Sequence, residues 1–241
     1  MRPLLTIDLG LISYSDAFVL QERIVAARKL DAIDDVLLFC THPHVITLGR
    51  NGNRANLLVS EHVLRQKGVE LHATNRGGDI TYHGPGQIVG YPILNLDRIR
   101  RDVHWYVRSL EESMIRATAD FGISAFPVSG KTGIWVKSVH GDREEKLAAI
   151  GVHLSRWITS HGFAYNVATD LRYFDLIVPC GIADRKATSL EKLLSRSIVP
   201  GEVQPHLIQH FSDIFSFTPQ TTSREALISL LAGVHHPLAT P

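Results

Sequence analysis

The segment Asn75-Arg76-Gly77-Gly78-Asp79-Ile80-Thr81-Tyr82-His83-Gly84-Pro85-Gly86-Gln87 is the densest cluster of turn-forming residues in the chain, and it lies between runs of β character. Val69 to Ala73 and Ile80 to Tyr82 read as strands around the Gly77-Gly78 turn, and a further strand leaves Gly86 through Gln87-Ile88-Val89-Gly90-Tyr91-Pro92-Ile93. A dinucleotide fingerprint or a phosphate loop needs its glycines between a strand and a helix N-terminus, so this context excludes both. A glycine hairpin between strands offers something else. With no Cβ in the way, backbone can approach a bound chain closely and present N–H groups to a carbonyl oxygen. A tight turn without a ligand explains the glycines equally well, and it is Arg76, Thr81, Tyr82 and His83 that tilt the balance toward a site.

Around this segment the pattern alternates between helix and strand. Ala17, Leu20, Ile24, Ala27 and Leu30 fall at helical spacing, with Ser13 or Ser15 available as the N-cap. Val36 to Phe39 and Val45 to Leu48 are predicted strands flanking the turn His42-Pro43, and Ser60-Glu61 opens a short helix that Gly68 closes. Val103, Tyr106, Val107, Leu110, Met114, Ala117 and Phe121 form one stripe of a long helix between Asp102 and Gly122. From Lys131 to Val167 the pattern is β again: Gly133 to Val136, Leu147 to Leu154 and Phe163 to Val167, with a polar turn over Val139-His140-Gly141-Asp142-Arg143. Thr188 with Glu191 predicts a capping box, and helices follow Pro200 and Ser223. With no repeat and no low-complexity linker, the expectation is a single α/β (α+β) domain over residues 1–241, a mixed β-sheet flanked by helices.

Charge excludes one class of partner. The 25 Lys and Arg against 24 Asp and Glu leave no basic surplus, so no nucleic-acid partner is expected. Asp8 interrupts the N-terminal apolar stretch, against a signal peptide, and no apolar run approaches the roughly 20 residues of a bilayer span. The expectation is a cytoplasmic protein with no membrane partner.

The two cysteines differ in setting. Cys40 ends the apolar run Val36-Leu37-Leu38-Phe39 and reads as a small buried hydrophobe. Cys180, between Pro179 and Gly181, is poorly placed for packing and better placed at a loop apex, as a nucleophile would be. A free thiol of pKa about 8.5 is only a few per cent thiolate at neutral pH, so such a cysteine needs a cationic or basic neighbour. Lys146 heads the apolar strand Leu147-Ala148-Ala149-Ile150-Gly151-Val152, where a solvated strand-end lysine is the plain alternative; His83 and His161 are rivals for the same task. His42 with His44, and His206 with His210, have ligand-like spacing but no neighbouring Glu or Cys in a zinc pattern, so no metal is expected.

Taken together, His42 to Arg50, Arg76 to Gln87, Gly130-Lys131-Thr132-Gly133-Ile134-Trp135-Val136, Lys146 to Gly151, His161 to Val167 and Pro179 to Leu190 resemble the lipoyl(octanoyl)transferase family. The match covers residues 40 to 190, with His44 standing where a second proline is expected. The resemblance implies a fold like the catalytic part of biotin and lipoate protein ligases, an acyl-thioester intermediate on Cys180, and Lys146 as the group that lowers its pKa. It also implies substrate contacts from Arg76, Gly77, Gly78, Asp79, Ile80, Thr81, Tyr82 and His83, from Ala149, Ile150 and Gly151, and from Gly162, Phe163 and Ala164. The donor it implies is octanoyl-acyl carrier protein, and the acceptors are lipoyl domains of 2-oxoacid dehydrogenase E2 subunits and glycine cleavage H protein, with no cofactor. Backbone donors near Gly77-Gly78 or around Cys180 are expected to hold the oxyanion. Ala148, Ala149, Ile150 and Phe163 are expected to wall an acyl tunnel, with ordinary core packing as their alternative.

Overall fold

Every residue of Gln87–Ile93 is buried, and a strand with no exposed face must lie inside a sheet covered on both sides. The computed structural model, which describes residues 1–138, 143–178 and 186–234, shows that arrangement. Its strands are β1 (Arg2–Leu11), β2 (Asp35–Thr41), β3 (Val45–Leu48), β4 (Glu70–Ala73), β5 (Ile80–His83), β6 (Gln87–Ile93), β7 (Ala125–Val128), β8 (Lys131–Lys137), β9 (Glu144–Ser155), β10 (Ile158–Asn166) and β11 (Phe217–Thr221). Its helices are α1 (Tyr14–Lys29), α2 (Glu61–Gln66), α3 (Val103–Ala119), α4 (Leu190–Leu194), α5 (Pro200–Phe215) and α6 (Arg224–Ala232).

The large sheet runs β11-β1-β2-β6-β10-β9-β8-β7 and is mixed: β1 is parallel to both neighbours, and from β2 onward the pairs are antiparallel. A small sheet, β4-β3-β5, carries the glycine-rich hairpin. One face of the large sheet buries Leu37, Phe39, Phe163 and Tyr165 against Tyr106, Leu110 and Met114 of α3 and Leu207 and Phe211 of α5. The other buries Leu38, Val89, Tyr91 and Ala164 against Ala17, Leu20 and Ile24 of α1 and Leu227 and Leu231 of α6. A third cluster, with Ile46, Leu48, Ile80 and Tyr82, forms under the small sheet. No described helix is long and apolar enough to cross a membrane.

The helix ends follow from capping. Asp102 accepts the Trp105 N–H at 2.9 Å and starts α3 as expected. Of the two serines before α1, it is Ser13 that accepts the Asp16 N–H, at 3.1 Å. The box expected at Thr188 is shifted by one residue: Ser189 caps α4, accepting from Lys192 N, while the Thr188 N–H bonds Lys146 O. β10 starts five residues before the expected Phe163, because Arg156 and Trp157 take φ of 52° and 63° and close a two-residue hairpin without glycine. The edge strands β7 and β11 and the N-terminal β1 carry no clean alternation and were not expected; Pro127 and Pro219 suit edges, where a missing N–H costs little. Most of the polar turn at Val139 to Arg143 lies outside the described residues.

At one end of the sheet, Arg28 of α1 donates from Nε to Asp35 Oδ1 at 3.0 Å, and both side chains are buried. Removing one partner strands the other charge in the interior. Arg28→Leu is expected to lower unfolding free energy by about 3–5 kcal/mol, measured by urea titration; a loss below about 1 kcal/mol would mean that Asp35 finds its support elsewhere.

Candidate active site

The small sheet meets the large one through glycine. The Gly77 N–H donates to Val152 O on β9 at 2.8 Å, and a Cβ on Gly151 would lie 2.9 Å from Gly77 O and 3.1 Å from Arg76 Cδ. Gly151 must lack a side chain for the hairpin to sit on the sheet, and a Cβ on Gly77 would press on Val152 O at 3.2 Å. The space left beside this contact is a cavity of about 390 Å³. It is walled by the hairpin (Arg76, Gly77, Gly78, Asp79, Ile80, Thr81, His83), by β9 (Lys146, Ala149, Ile150, Gly151) and by β10 (His161, Gly162, Phe163, Ala164).

Arg76 is 8% exposed, and its guanidinium is held by Thr47: Nε and Nη2 donate to Oγ1 at 3.2 and 2.8 Å, and Nη2 donates to the carbonyl at 2.7 Å. The tautomer of His83 follows from its neighbours. Gln87 Nε2 donates to Asn166 Oδ1 at 2.9 Å and Tyr82 O at 3.3 Å, so its Oε1 accepts from His83 Nδ1 at 2.8 Å, leaving Nε2 facing Thr47 Oγ1 at 3.5 Å. Burial, then His42 and Arg76, pull His83 down to about 3; burial, Arg76 and His153 do the same to His161, whose Nε2 meets Asn75 Oδ1 at 2.6 Å. Both imidazoles are therefore neutral at physiological pH, and Arg76 supplies a fixed positive charge.

Lys146 reaches this cavity because β9 is bulged. Ile134 pairs with Ala148, but the next residue, Trp135, pairs with Lys146, so Leu147 is an extra residue. Leu147 and Ala148 both pack into the α3-side core, and Lys146 is thereby turned to the face that carries Ala149 and Gly151. Its Nζ donates to Thr132 O at 3.2 Å and lies 4.7 Å from the centre of the Trp135 ring. Its main chain bonds the next segment: Lys146 N to Lys186 O and Thr188 N to Lys146 O, each 2.9 Å. On the opposite side, Val178 N donates to Asn56 O at 2.8 Å, and Asn56 Nδ2 in turn bonds Asp79. Cys180 lies outside the described residues, in the stretch between these two anchored ends.

Two residues weighed for the site lie elsewhere. Tyr82 does not line the cavity: its ring stacks on Tyr173 at 5.0 Å and its hydroxyl bonds His44 Nδ1 at 2.7 Å, beneath the small sheet. Ala148 belongs to the core and not to the cavity wall. The Gly77 N–H is committed to Val152 O. Cys40 is buried, and burial pushes its thiol well up, as a packing residue requires. His42 and His44 turn to different partners, Ile12 O with the Tyr91 hydroxyl and Tyr82, while His206 and His210 share Asp120 Oδ2 at 2.6 and 2.8 Å. Tyr14, Gln87, Val89, Tyr91 and Asn166 also line the cavity and were not expected there. Gln87 ends the glycine-rich segment and so carried a signal, whereas Asn166 is brought opposite it only by the pairing of β6 with β10.

In the unfolded chain a histidine takes up its proton near pH 6.5. Between there and about 3, the unfolded state binds protons that His83 and His161 refuse when folded, so stability is full above pH 6.5 and falls as the pH drops. Unfolding free energy is expected to be about 3 kcal/mol lower at pH 5.5 than at pH 7.5. Chemical denaturation at the two values checks this, and a flat profile would show that the imidazoles charge in the folded protein.

The lipoyl protein ligase A/B catalytic domain family matches residues 13–212. The octanoyltransferase of Solibacter usitatus is 51% identical over 210 residues, 87% of this chain and 92% of that protein. The octanoyltransferase of Acidobacterium capsulatum is 55% identical over 192 residues, 77% and 78% of the two chains. Among solved structures, a bipartite lipoate protein ligase from Thermoplasma acidophilum superposes with a TM-score of 0.74 at 17% identity, covering 96% of this chain and 91% of its own.

Proposed function

The chain belongs to the lipoyl protein ligase A/B catalytic domain family, and from its octanoyltransferase relatives and the cavity we infer that it transfers octanoyl groups in protein lipoylation. The observation that carries the chemistry is the anchoring of residues 178 and 186 to 188: the stretch holding Cys180 leaves the chain beside Asn56 and Asp79 and rejoins it on the main chain of Lys146.

In the first step, the Cys180 thiolate attacks the thioester carbonyl of the octanoyl donor, which we take to be acyl carrier protein; the donor C–S bond breaks and the carrier departs as a thiol with the proton of the Lys146 ammonium, which is left neutral for the second step. In the second, the lysine amine of a lipoyl domain attacks the enzyme thioester; the C–N bond forms, the C–S bond breaks and the amine gives up a proton. The acceptors in this reading are the lipoyl domains of 2-oxoacid dehydrogenase E2 subunits and glycine cleavage H protein. Lys146 is the acceptor of that proton and the cationic neighbour of the thiolate. His83, neutral with a pKa near 3 and with Nε2 turned to Thr47, is a weak base for the task. Thioester to amide is downhill, so the reading requires no nucleotide. An ATP-dependent ligase of the same fold is the rival, since a lipoate-protein ligase A solved with bound ATP shares the architecture.

Intact mass after incubation with octanoyl-acyl carrier protein is expected to show one added octanoyl group, absent in Cys180→Ser and retained in Cys40→Ser. Label lost only in Cys40→Ser would identify the wrong sulfur, and octanoylation of an apo lipoyl domain that needs ATP would favour the ligase. Lys146→Ala is expected to slow alkylation of Cys180 about tenfold at neutral pH; an unchanged rate and pH profile removes Lys146 from thiolate activation.

A further inference from the structure

We propose that Val89 and Tyr91, two residues apart on β6, form the end wall of the acyl trough and set the chain length it accepts, an inference that rests on the acyl-transfer reading above. Paired residues share a face of a sheet. Ala149 of β9 pairs with Ala164 of β10, and Ala164 with Val89 of β6. In the next row, Gly151 pairs with Gly162, and Tyr91 follows Val89 on the same face. All six line the cavity. Thus β9 and β10 pave this strip with nothing larger than a methyl group, and β6 supplies its first bulky side chains.

The trough ends there. Leu38 and Cys40 of β2, opposite Tyr91 and Val89, are buried in the α1-side core and do not line the cavity. From β9, where Lys146 marks the polar end, to β6 is two strand spacings, about 10 Å, the reach of an extended acyl chain of about eight carbons.

The wall is stiff as well as bulky. His42 Nδ1 donates to Ile12 O at 2.8 Å, so its Nε2 accepts from the Tyr91 hydroxyl, also at 2.8 Å. His42, Tyr91 and Val89 are all buried, and β-branched Val89 has little rotamer freedom. A longer chain therefore meets an anchored ring and a stiff side chain, neither of which can swing aside.

The test compares transfer from hexanoyl, octanoyl and decanoyl carrier protein to an apo lipoyl domain, with folding checked by thermal melting. The wild-type chain is expected to prefer octanoyl. Val89→Ala should raise the decanoyl-to-octanoyl rate ratio about tenfold, and Ala164→Val, which narrows the strip before the wall, should lower the octanoyl-to-hexanoyl ratio by a similar factor. A shift in the stated direction in either variant supports the wall, and if one variant fails to fold the other decides. Unchanged ratios with wild-type octanoyl transfer intact overturn the wall alone. A wild-type chain that transfers no octanoyl overturns the acyl-transfer reading itself.

Discussion

The contact of Gly77 with Gly151 is the constraint on which the rest of the site depends. Beside it the Gly77 N–H joins the small sheet to the large one by a 2.8 Å bond to Val152 O, and no residue with a Cβ fits at Gly151 without moving Gly77 or Arg76. Because the two sheets touch here through backbone, the Arg76 guanidinium lies low in the cavity wall, where Thr47 holds it. The hairpin is thus a roof fixed at one edge, and the space beside it is the cavity.

Burial then sorts the ionisable groups. A cation is placed in the wall by side-chain and carbonyl oxygens, and the two imidazoles nearest to it are kept neutral by desolvation and by its charge. The run from Arg76 through Thr47, His83 and Gln87 to Asn166 is hydrogen-bonded from end to end, which favours one arrangement of the network over a set of alternatives. A fixed positive wall and a neutral interior suit a ligand that is polar at one end and apolar along its length.

The bulge at Leu147 does for Lys146 what the glycines do for Arg76. One extra residue in β9 sends Leu147 and Ala148 into the same core and delivers the preceding lysine to the opposite face. The same residue's main chain bonds Lys186 and Thr188, so one position both orients a cation and fixes the strand's neighbour.

The sequence by itself determined the local chemistry of this protein. The Asp102 cap and the apolar stripe of α3, the strand that leaves Gly86, the hairpin at Gly77-Gly78, the buried character of Cys40 and the family motifs are all written in residues near one another along the chain. What it could not carry is whatever depends on partners distant in sequence. The start of β10 was hidden because Arg156 and Trp157 adopt positive φ without glycine, and β11 because its pairing with β1 is more than 200 residues away. Tyr82 shares the motif of its neighbours, but strand alternation turns it from the cavity, while Tyr91 and Asn166 enter it through the pairing of strands. Only the tertiary structure decided the direction of Lys146, the neutrality of His83 and which residues of β6 line the cavity, because register and desolvation are properties of strands brought together and not of any one of them.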